Sequence, residues 1–372
     1  MKILIDAHMV GERETGNERY VLNLSRALCD LDLPAEFIIA ATDPDRVRAA
    51  LPAGGRWRIV PITSSSWRRL LVELPRLAAR EDASLLHVTY TGPWRPPCPL
   101  VVTVHDVSYA RHPEWFSLRD RLVLSLGVKN TLSRAAGVIT ISRHARSELC
   151  AHYKIPEARV LAAPLAADPL FRVLSASEGG PDRLAGKGVR FPYVLGVGNL
   201  QPRKNLPRLV AAFARAKRQS RLPHQLVLAG KAQWRESEVF EVVRQEGIEA
   251  DILFTGYLSD GELVALYNGA EAFAYPSLYE GFGLPVLEAM ACGTPVISSH
   301  STSIPEVAGD AAVLIAPTDT DALADALVRV LSDRALRADL RERGLRQAER
   351  FSWRQTAMAT WAYYQEVAGT VS

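Results

Sequence analysis

The sequence predicts an α/β protein with two parallel β-sheet domains. Short apolar, β-branched runs alternate with amphipathic helical patterns, and this alternation occurs twice along the 372 residues. Such alternation is typical of a parallel sheet with crossover helices. A stretch rich in Gly, Ser and charged residues at 174–190 interrupts the pattern, and a chain of this length fits two domains. We therefore predict a first domain over 1–178, a linker over 174–190 and a second domain over 190–354.

Each predicted sheet has its own set of strands. The buried runs of the first domain are KILID (2–6), EFIIA (36–40), LLHV (85–88), LVVTV (100–104) and GVITI (137–141). Those of the second domain are YVLGVG (193–198), HQLVLAG (224–230), DILFTG (251–256), AEAFAYP (270–276), TPVISS (294–299) and AAVLIA (311–316). Ligands of open parallel sheets bind at the carboxyl ends of the strands, so we expect functional residues to follow these runs.

The composition excludes several classes of protein. No run approaches the ~20 apolar residues of a membrane span, and Asp6 interrupts the N-terminal apolar stretch, which is unlike a signal peptide. The four cysteines form no C-x-x-C pair, which favours a reducing cytosol over a disulfide framework or a zinc site. A net charge of +3 is too small to indicate a nucleic-acid partner. We expect a cytoplasmic protein that binds no nucleic acid.

The most informative segment is SLYEGFGLPVLEAMACGTPVISS (277–299). Glu280 and Glu288 stand eight residues apart, with two glycines and Pro285 between them. Glycines let a ligand approach the backbone, and a helix beginning near residue 284 offers free N–H groups at the positive end of its dipole. Carboxylates do not suit phosphate, but they accept hydrogen bonds from hydroxyls. We predict a site for sugar or ribose hydroxyls; the alternative is a surface turn with two solvated glutamates.

A basic pair lies in GVGNLQPRKN (196–205), after the first strand of the second domain. Arg203 and Lys204 are predicted at the start of a helix, where adjacent basic residues fail to complement the helix dipole. This placement costs stability unless a bound anion offsets it, and a diphosphate would do so. The alternative is an ordinary basic pair on the surface.

The glycines of the same loop do not complete a dinucleotide fingerprint. Gly196 and Gly198 form G-x-G, but Gln201 occupies the position of the third glycine. The sequence also lacks a G-x-S-x-G elbow, a Walker A motif, an H-E-x-x-H motif and an Asp-rich cluster. We therefore expect neither a nicotinamide enzyme nor a bound catalytic metal.

Two loops of the first domain also carry candidate residues. In ERETGNERY (12–20), Gly16 and Asn17 lie at the mouth of a predicted helix, where a ligand could approach; an ordinary βα turn is the alternative. VTVHD (102–106) places His105 and Asp106 at the carboxyl end of a buried strand. A general base, a hydrogen-bond donor and a structural histidine are all open for His105, and the residues alone favour the structural role.

These motifs together resemble a known family. EGFGLPVLEAMACGTPV resembles the E-x7-E motif of the retaining family 4 glycosyltransferases, and GNLQPRKN resembles that family's donor-phosphate loop. TGNERY, VTVHD, VITISRHARSEL and FSW (351–353) match in the same order along the chain. The resemblance implies a GT-B fold, with two Rossmann-like parallel-sheet domains facing across a deep cleft. The C-terminal helix, residues 355–372, is then expected to pack back on the acceptor-binding first domain, while the second domain holds the nucleotide sugar.

The resemblance also implies roles for individual residues. Arg203 and Lys204 would hold the diphosphate and neutralise the leaving group, Glu280 would bind the sugar hydroxyls, and Glu288 would bind the ribose. His105 would touch the sugar near its C6 position, which reverses the preference for a structural role. The implied catalytic residues are His105, Arg203, Lys204 and Glu280. The implied donor site contains Gly16, Gly198, Asn199, Arg203, Lys204, Tyr257, Leu258, Glu280, Gly281, Phe282, Gly283, Leu284 and Glu288, and the acceptor site contains Gly16, Asn17, Tyr90, His105 and Asp106.

Substrates and partners follow from the same resemblance. We expect metal-independent transfer of a hexose with retention and without a cofactor, and GDP-mannose is the first expectation for the donor because similar sequences are often mannosyltransferases of bacterial surface polysaccharide assembly. UDP-, ADP- and dTDP-sugars stay open. The acceptor is expected to be a glycan or a lipid-linked molecule. A nucleotide-sugar epimerase and a non-catalytic sugar-nucleotide binding protein of the same fold are the alternatives.

Basic and aromatic residues in the first half suggest a membrane surface. Residues 1–178 contain 23 Lys and Arg against 19 Asp and Glu, a net +4. Trp115 and Phe116 lie among basic residues at 111–130, and WRRLL (67–71) adds another aromatic–basic mixture. Such mixtures suit the interface of an anionic membrane, so we expect peripheral contact at the inner face of the plasma membrane. An amphipathic helix packed on its own domain is the alternative.

Overall fold

The computed structural model describes residues 1–11, 15–175, 178, 184, 186–230 and 236–369. The chain forms two compact units, of which the first comprises Met1–Leu165 and Ser352–Ser372 and the second comprises Ala166–Phe351. The passage between units thus lies earlier in the chain than the predicted boundary at residue 178. Residues just after it belong to the second unit because the N–H of Leu174 donates to the side chain of Asn268 at 2.8 Å. Most of the predicted linker at 174–190 lies outside the described residues.

The first unit contains a parallel sheet. Its described strands are β1 (Lys2–Ala7), β2 (Glu36–Ala41), β3 (Trp57–Pro61), β4 (Leu85–Thr89), β5 (Leu100–Thr103), β6 (Gly137–Thr140) and β7 (Val160–Ala162). Their order is β3-β2-β1-β4-β5-β6-β7, and every neighbouring pair is parallel. The sequence did not predict β3 or β7. Both lie at the edges of the sheet, where β3 is only half-buried and β7 has three residues, so neither has the continuous apolar run of a central strand.

The second unit contains another parallel sheet. Its described strands are β8 (Tyr193–Val197), β9 (Gln225–Ala229), β10 (Ile252–Gly256), β11 (Ala272–Tyr275), β12 (Val296–Ser299) and β13 (Ala312–Ile315). Their order is β10-β9-β8-β11-β12-β13, again with parallel neighbours. Numbered from its own first strand, this is the 3-2-1-4-5-6 order of a doubly wound sheet. The strand order reverses between β8 and β11, and ligands of such sheets bind beside that switch point.

Helices cover the faces of both sheets. Those described are α1 (Thr15–Asp30), α2 (Pro44–Ala50), α3 (Ser66–Arg68), α4 (Leu74–Arg80), α5 (Ser108–Arg111), α6 (Leu118–Leu132), α7 (Arg143–Tyr153), α8 (Leu206–Ser220), α9 (Glu236–Glu246), α10 (Asp260–Gly269), α11 (Leu284–Ala291), α12 (Ile304–Ala308), α13 (Thr320–Ser332), α14 (Arg334–Ala348) and α15 (Trp353–Gly369). A π-helical turn, Arg69–Glu73, joins α3 to α4. In the described parts of the chain, no helix combines the length and the apolar character needed to span a bilayer.

The last helix, α15, packs within the first unit against α1 and β6. The hydroxyl of Tyr363 accepts from the N–H of Val138 at 3.0 Å and donates to the carbonyl of Arg159 at 2.7 Å. The hydroxyl of Tyr364 lies 2.6 Å from Nδ1 of His87 on β4. Because these tyrosines bond to groups inside the sheet, α15 is part of the packed core of this unit and does not extend from it as a tail.

Candidate active site

The loops after β8 and β11 meet at the switch point of the second sheet. Residues 198–205 follow β8 and residues 276–283 follow β11. The carbonyl of Arg203 in the first loop accepts the N–H of Leu278 at 2.8 Å and the hydroxyl of Ser277 at 2.9 Å in the second. Segments some 75 residues apart in sequence are therefore held side by side at the edge where this fold class binds ligands.

The basic pair precedes helix α8 and is not part of it. Arg203 and Lys204 lie in the 3-10 turn Pro202–Lys204 and α8 begins at Leu206, so the predicted helix start was about one turn too early. Asn205 separates the turn from α8 with a left-handed backbone, at φ 58°. Its side-chain amide donates to the carbonyls of Pro276 at 2.9 Å and Pro317 at 2.7 Å, which fixes this conformation. The tight turn thereby directs both basic side chains toward the β11 loop.

The carboxylate of Glu280 lies between the two basic side chains. Its Oε2 accepts from Nη1 of Arg203 at 2.8 Å, and its Oε1 accepts from Nζ of Lys204 at 2.7 Å. The hydroxyls of Tyr275, at 2.7 Å, and Ser277 also donate to Oε1. Among the described residues Oε1 thus receives three donors and Oε2 receives one. Oε2 is the oxygen with capacity left for another hydroxyl.

The electrostatic balance of this cluster favours an anion. Burial raises the pKa of Glu280, but the charges of Arg203 and Lys204 and the hydrogen bonds to Lys204 and Ser277 outweigh burial and lower the pKa to about 2. The carboxylate is therefore ionised at neutral pH. Two cations facing one carboxylate leave one positive charge in excess. The side chain of Lys204 is 9% exposed and that of Arg203 27%, so Arg203 is the more accessible cation.

The start of helix α11 depends on a glycine. Gly283 has φ 103°, and a Cβ placed there would lie 2.6 Å from Cδ1 of Ile304, so another residue would be strained and would clash. The first N–H groups of a helix lack intrahelical acceptors, which leaves the amides of Gly283 and Leu284 available to a ligand. Gly281 and Phe282 are buried before them, and the ring of Phe282 packs edge-on against Phe351 at 5.8 Å.

The second glutamate of the motif, Glu288, is buried within α11. It is 2% exposed, and its Oε2 accepts from the hydroxyl of Tyr267 at 3.1 Å. Tyr267 is itself fully buried and its carbonyl accepts the hydroxyl of Thr294 at 2.6 Å. Glu288 thus already has a hydroxyl donor as its partner.

A cavity beside the basic loop was not predicted from the sequence. It has a volume of about 210 Å³ and lies at the carboxyl ends of β8, β9 and β10. Its lining is apolar apart from backbone groups, and consists of Gly196, Gly198, Leu200, Leu206, Leu228, Ala229, Gly230, Phe240, Phe254 and Gly256. A sequence pattern could have predicted this cavity, because each of the three strands ends at or is followed by a glycine. In the structure these glycines have positive φ.

Four further residues predicted for the donor are in or next in sequence to this cavity's lining: Gly198 lines it, Asn199 follows Gly198, and Tyr257 and Leu258 follow the lining residue Gly256. The N–H of Gly198 donates to the carbonyl of Ala229 at 2.8 Å, and the carbonyl of Asn199 accepts the N–H of Gln201 at 2.6 Å. Tyr257 directly follows the lining residue Gly256 and is 59% exposed, whereas Leu258 is 9% exposed.

In the first unit the structure places His105 among aromatic rings. His105 is 6% exposed, and its ring centre lies 4.7 Å from that of Tyr20 and 5.6 Å from that of Tyr90. Burial, followed by the charge of His87, lowers its pKa to about 3, so the ring is neutral. Its Nε2 is buried and has no hydrogen-bond partner in the described part of the chain. A buried polar atom without a partner is uncommon and keeps a functional role open.

The other residues predicted for the acceptor have different settings. Tyr90 has a left-handed backbone with φ 60°, which is unfavourable for a tyrosine, and its N–H donates to the carbonyl of Thr103 at 2.9 Å. The carboxylate of Asp106 accepts the N–H of Ser108 at 2.9 Å at the start of α5. Gly16 is exposed in the first turn of α1, and Asn17 is half-buried after it. Residues 12–14 of this loop lie outside the described residues.

Sequence reasoning missed a buried network beneath His105. The hydroxyl of Thr103 lies 2.7 Å from the hydroxyl of Tyr20 and 2.7 Å from Nε2 of His87, whose Nδ1 meets Tyr364. Burial lowers the pKa of His87 to about 4. No spacing rule links these four residues, because they come from α1, β4, β5 and α15. The structure thus collects Arg203, Lys204 and Glu280 in the second unit, and His105 with its tyrosines in the first.

Comparisons with known proteins identify the family of the chain. The description "Glycosyltransferase Family 4" matches residues 15–169, and "Glycosyl transferases group 1" matches residues 185–347. The O-antigen chain mannosyltransferase B of Escherichia coli is 36% identical over 265 residues, which cover 70% of this chain and 68% of that protein. The serotype-specific mannosyltransferase WbdA of Escherichia coli is 34% identical over 227 residues, which cover 60% of this chain but only 28% of WbdA.

A solved structure has the same fold. The structure of Anabaena Alr3699/HepE in complex with UDP-glucose superposes with a TM-score of 0.74 at 19% identity, and covers 100% of this chain and 99% of that one. The predicted GT-B fold class, with two Rossmann-like parallel-sheet domains, is thereby confirmed. The chain is therefore a member of the glycosyltransferases of group 1 and family 4.

Proposed function

We propose that this glycosyltransferase moves a mannosyl residue from GDP-mannose to a glycan or lipid-linked acceptor during the assembly of a surface polysaccharide. The names of its relatives support this choice of sugar, since both the O-antigen chain enzyme and WbdA are mannosyltransferases. The HepE structure, in contrast, holds UDP-glucose. Uridine, adenosine and thymidine diphosphate donors are therefore the comparisons to test.

The basic pair beside Glu280 carries the proposal. Arg203 and Lys204 lie at the carboxyl ends of β8 and β11 with one positive charge in excess, which suits a diphosphate. As the sugar leaves, negative charge develops on the diphosphate, and fixed cations stabilise that charge without reorganising. The amides of Gly283 and Leu284 would add hydrogen bonds to the same group.

The remaining polar groups would hold the rest of the donor and the acceptor. Oε2 of Glu280 would accept a sugar hydroxyl, and Glu288 would accept a ribose hydroxyl in competition with Tyr267. His105 would contact the sugar near C6 through its neutral ring. The further donor contacts would come from Gly16, Gly198, Asn199, Tyr257, Leu258, Gly281 and Phe282, and the further acceptor contacts from Gly16, Asn17, Tyr90 and Asp106. The first domain would bind acceptor and the second domain donor.

The reaction we propose is metal-independent and retains the anomeric configuration. The bond from the anomeric carbon to the diphosphate oxygen breaks, and a bond to the acceptor oxygen forms on the same face. The departing phosphate oxygen takes the proton of the acceptor hydroxyl, so no protein base is required. Orientation and positive charge at the leaving group then supply most of the acceleration. We place the enzyme in the cytoplasm, in peripheral contact with the anionic inner face of the plasma membrane.

Two measurements test the function. A thermal-shift panel with GDP, UDP, ADP and dTDP identifies the base, because a ligand at about 100 times its Kd adds about 2.7 kcal/mol to the stability. Incubation with labelled GDP-mannose, with and without a short mannose-containing acceptor, then follows the label. We expect transfer that depends on acceptor and is unchanged by a chelator. Release of free sugar at the same rate without acceptor would instead support the epimerase reading, and absence of any nucleotide shift would refute the proposal.

A further inference from the structure

Helix α6 of the first unit exposes apolar side chains on its outer face. Leu118, Leu122 and Leu126 recur every four residues and are 66%, 48% and 66% exposed. Val123 lies beside them and is 61% exposed, whereas Val128 on the opposite face is fully buried. Residues four apart share one face of a helix, so the leucines form a continuous row. The side chains that face the core are explained by burial during folding. Burial in the fold does not explain the apolar side chains that face the solvent.

The row continues to an exposed tryptophan. Asn130 occupies the next position on the same face, and Arg134 lies just beyond the end of α6, where its Nη1 donates to the carbonyl of Asn130 at 2.8 Å. The guanidinium carbon of Arg134 lies 4.9 Å from the ring centre of Trp94, which is 59% exposed. We name Leu118, Leu122, Val123, Leu126 and Trp94 the apolar stripe.

Basic residues flank the apolar stripe. Residues 111–134 contain five Lys or Arg and two Asp or Glu, a net charge of 5 − 2 = +3. Asp120 is engaged at the start of α6, where its N–H and carboxylate bond to the hydroxyl of Ser117. In the described part of the chain, no carboxylate forms an ion pair with Arg119, Arg121 or Lys129. These cations therefore stay available to an anionic surface.

A second exposed aromatic lies in the same layer of the first unit. Trp67 in α3 is 78% exposed, and Leu71 in the following π-helical turn is 52% exposed. Leu74 of α4 and Val128 of α6 belong to the same buried cluster, so both helices cover the same face of the sheet. Two elements of one layer thus combine exposed tryptophan, exposed leucine and arginine.

We propose that the apolar stripe and its basic flanks dock the protein on an anionic lipid bilayer. Tryptophan and leucine would enter the boundary between headgroups and acyl chains, and Arg119, Arg121 and Lys129 would bind lipid phosphates. The combination fits this occupant because a bilayer accepts a row of leucines and a positive charge on one surface. The inference rests on the membrane location proposed above and names the surface responsible for it.

Vesicle flotation of the full chain tests this surface. Vesicles of phosphatidylcholine alone are compared with vesicles containing phosphatidylglycerol, at low and high salt. The double variant Leu122→Glu, Leu126→Glu should lose at least about tenfold in partitioning to the anionic vesicles. In the double variant Arg119→Glu, Arg121→Glu, partitioning to the anionic vesicles should fall by roughly fivefold or more for each arginine replaced. This decrease should be smaller at high salt, because salt screens the charges. Met358→Glu is the control, since Met358 is 53% exposed on α15 outside the stripe.

The outcomes separate the two levels of the proposal. Failure of the wild-type chain to float with either vesicle would refute the membrane location itself. Flotation of the leucine variant at the wild-type level would refute only the assignment to the apolar stripe. A wild-type dimer that the leucine variant abolishes, without flotation, would show that a second copy occupies the stripe. An unchanged nucleotide thermal shift in every variant establishes that the fold is intact.

Discussion

Replacing Glu280 with glutamine should tighten the binding of a nucleoside diphosphate while slowing sugar transfer. The carboxylate accepts hydrogen bonds from both Arg203 and Lys204, so it competes with a diphosphate for the same cations. Glutamine keeps the shape of the side chain but removes its charge. The cluster then changes from one positive charge in excess to two, and its attraction for a diphosphate increases.

The magnitude follows from the burial of the cluster. The pKa of Glu280 falls from an ordinary 4.5 to about 2, which corresponds to about 3 kcal/mol of interaction with its surroundings. Removing one partner of a buried ion pair costs about 3–5 kcal/mol, so the unliganded variant should be less stable by about that amount. An added charge 4 Å away at an effective dielectric constant of 20 contributes up to about 4 kcal/mol. We therefore expect nucleotide affinity to rise by about tenfold or more.

Transfer should slow for a separate reason. If Oε2 of Glu280 accepts a sugar hydroxyl, the amide that replaces it forms a neutral hydrogen bond in place of a charged one. Hydrogen bonds to charged groups contribute about 1.5–3 kcal/mol, so turnover should fall by about 10- to 100-fold.

The assay combines calorimetry, thermal unfolding and turnover. Titration with GDP, or with whichever diphosphate gives the largest thermal shift, measures the affinity of both proteins at low ionic strength. Glu288→Gln is the matched comparison, because this buried carboxylate lies on the same segment and accepts a hydrogen bond from Tyr267. It should leave nucleotide affinity equal or weaker. An affinity of Glu280→Gln equal to or below that of the wild type would refute the electrostatic reasoning.

Three further predictions concern turnover, stability and pH. Arg203→Ala and Lys204→Ala should each lower turnover by about 10²-fold or more, since each removes a fixed charge from the leaving group. Gly283→Ala should lower the melting temperature, because its φ of 103° and the 2.6 Å approach of a side chain both oppose a Cβ. The free energy of unfolding should be highest above about pH 6.5 and should fall as the pH is lowered toward 4. The reason is that folding lowers the pKa values of His87 and His105 to about 4 and 3, so the unfolded chain takes up these protons at a higher pH than the folded chain does.

Each of these has a result that contradicts it. Near-wild-type turnover in both alanine variants would refute the proposal that Arg203 and Lys204 bind the diphosphate. For the glycine, Gly16→Ala is the comparison, since a Cβ there has no atom within 4 Å, and equal melting temperatures would exclude strain at Gly283. For pH, chemical denaturation at pH 4, 5, 6 and 7 measures the slope, which should be about 1.4 kcal/mol per pH unit for each histidine inside its window. A flat profile would show that both rings protonate in the folded chain.

The central strands were predictable from the sequence because a buried parallel strand has a continuous apolar run. The apolar runs KILID and YVLGVG predict β1 and β8 for this reason. The edge strands β3 and β7 were not predictable, since half-buried or three-residue strands carry no such run. The start of α11 was also predictable, because glycine and proline mark it locally.

The setting of the site residues could not be predicted in the same way. The sequence shows that Glu280 and Glu288 share one segment, but it does not show that the first contacts two cations and the second a buried tyrosine. Such contacts join residues some 20 to 77 positions apart, and no local rule relates them. The hydrogen-bond network from Tyr20 to Tyr364 could not be predicted for the same reason, since its residues are far apart in the sequence.

The sequence by itself determined that two parallel sheets form, that their loops carry acids, glycines and a basic pair, and that the motifs are those of a glycosyltransferase. These properties are local, because apolar periodicity and turn residues act over a few positions. The tertiary structure decided which charges neutralise one another, which histidines are buried neutral, and which leucines stay on the surface of α6. Burial and long-range contact set those properties, since both depend on segments that only the folded chain brings together.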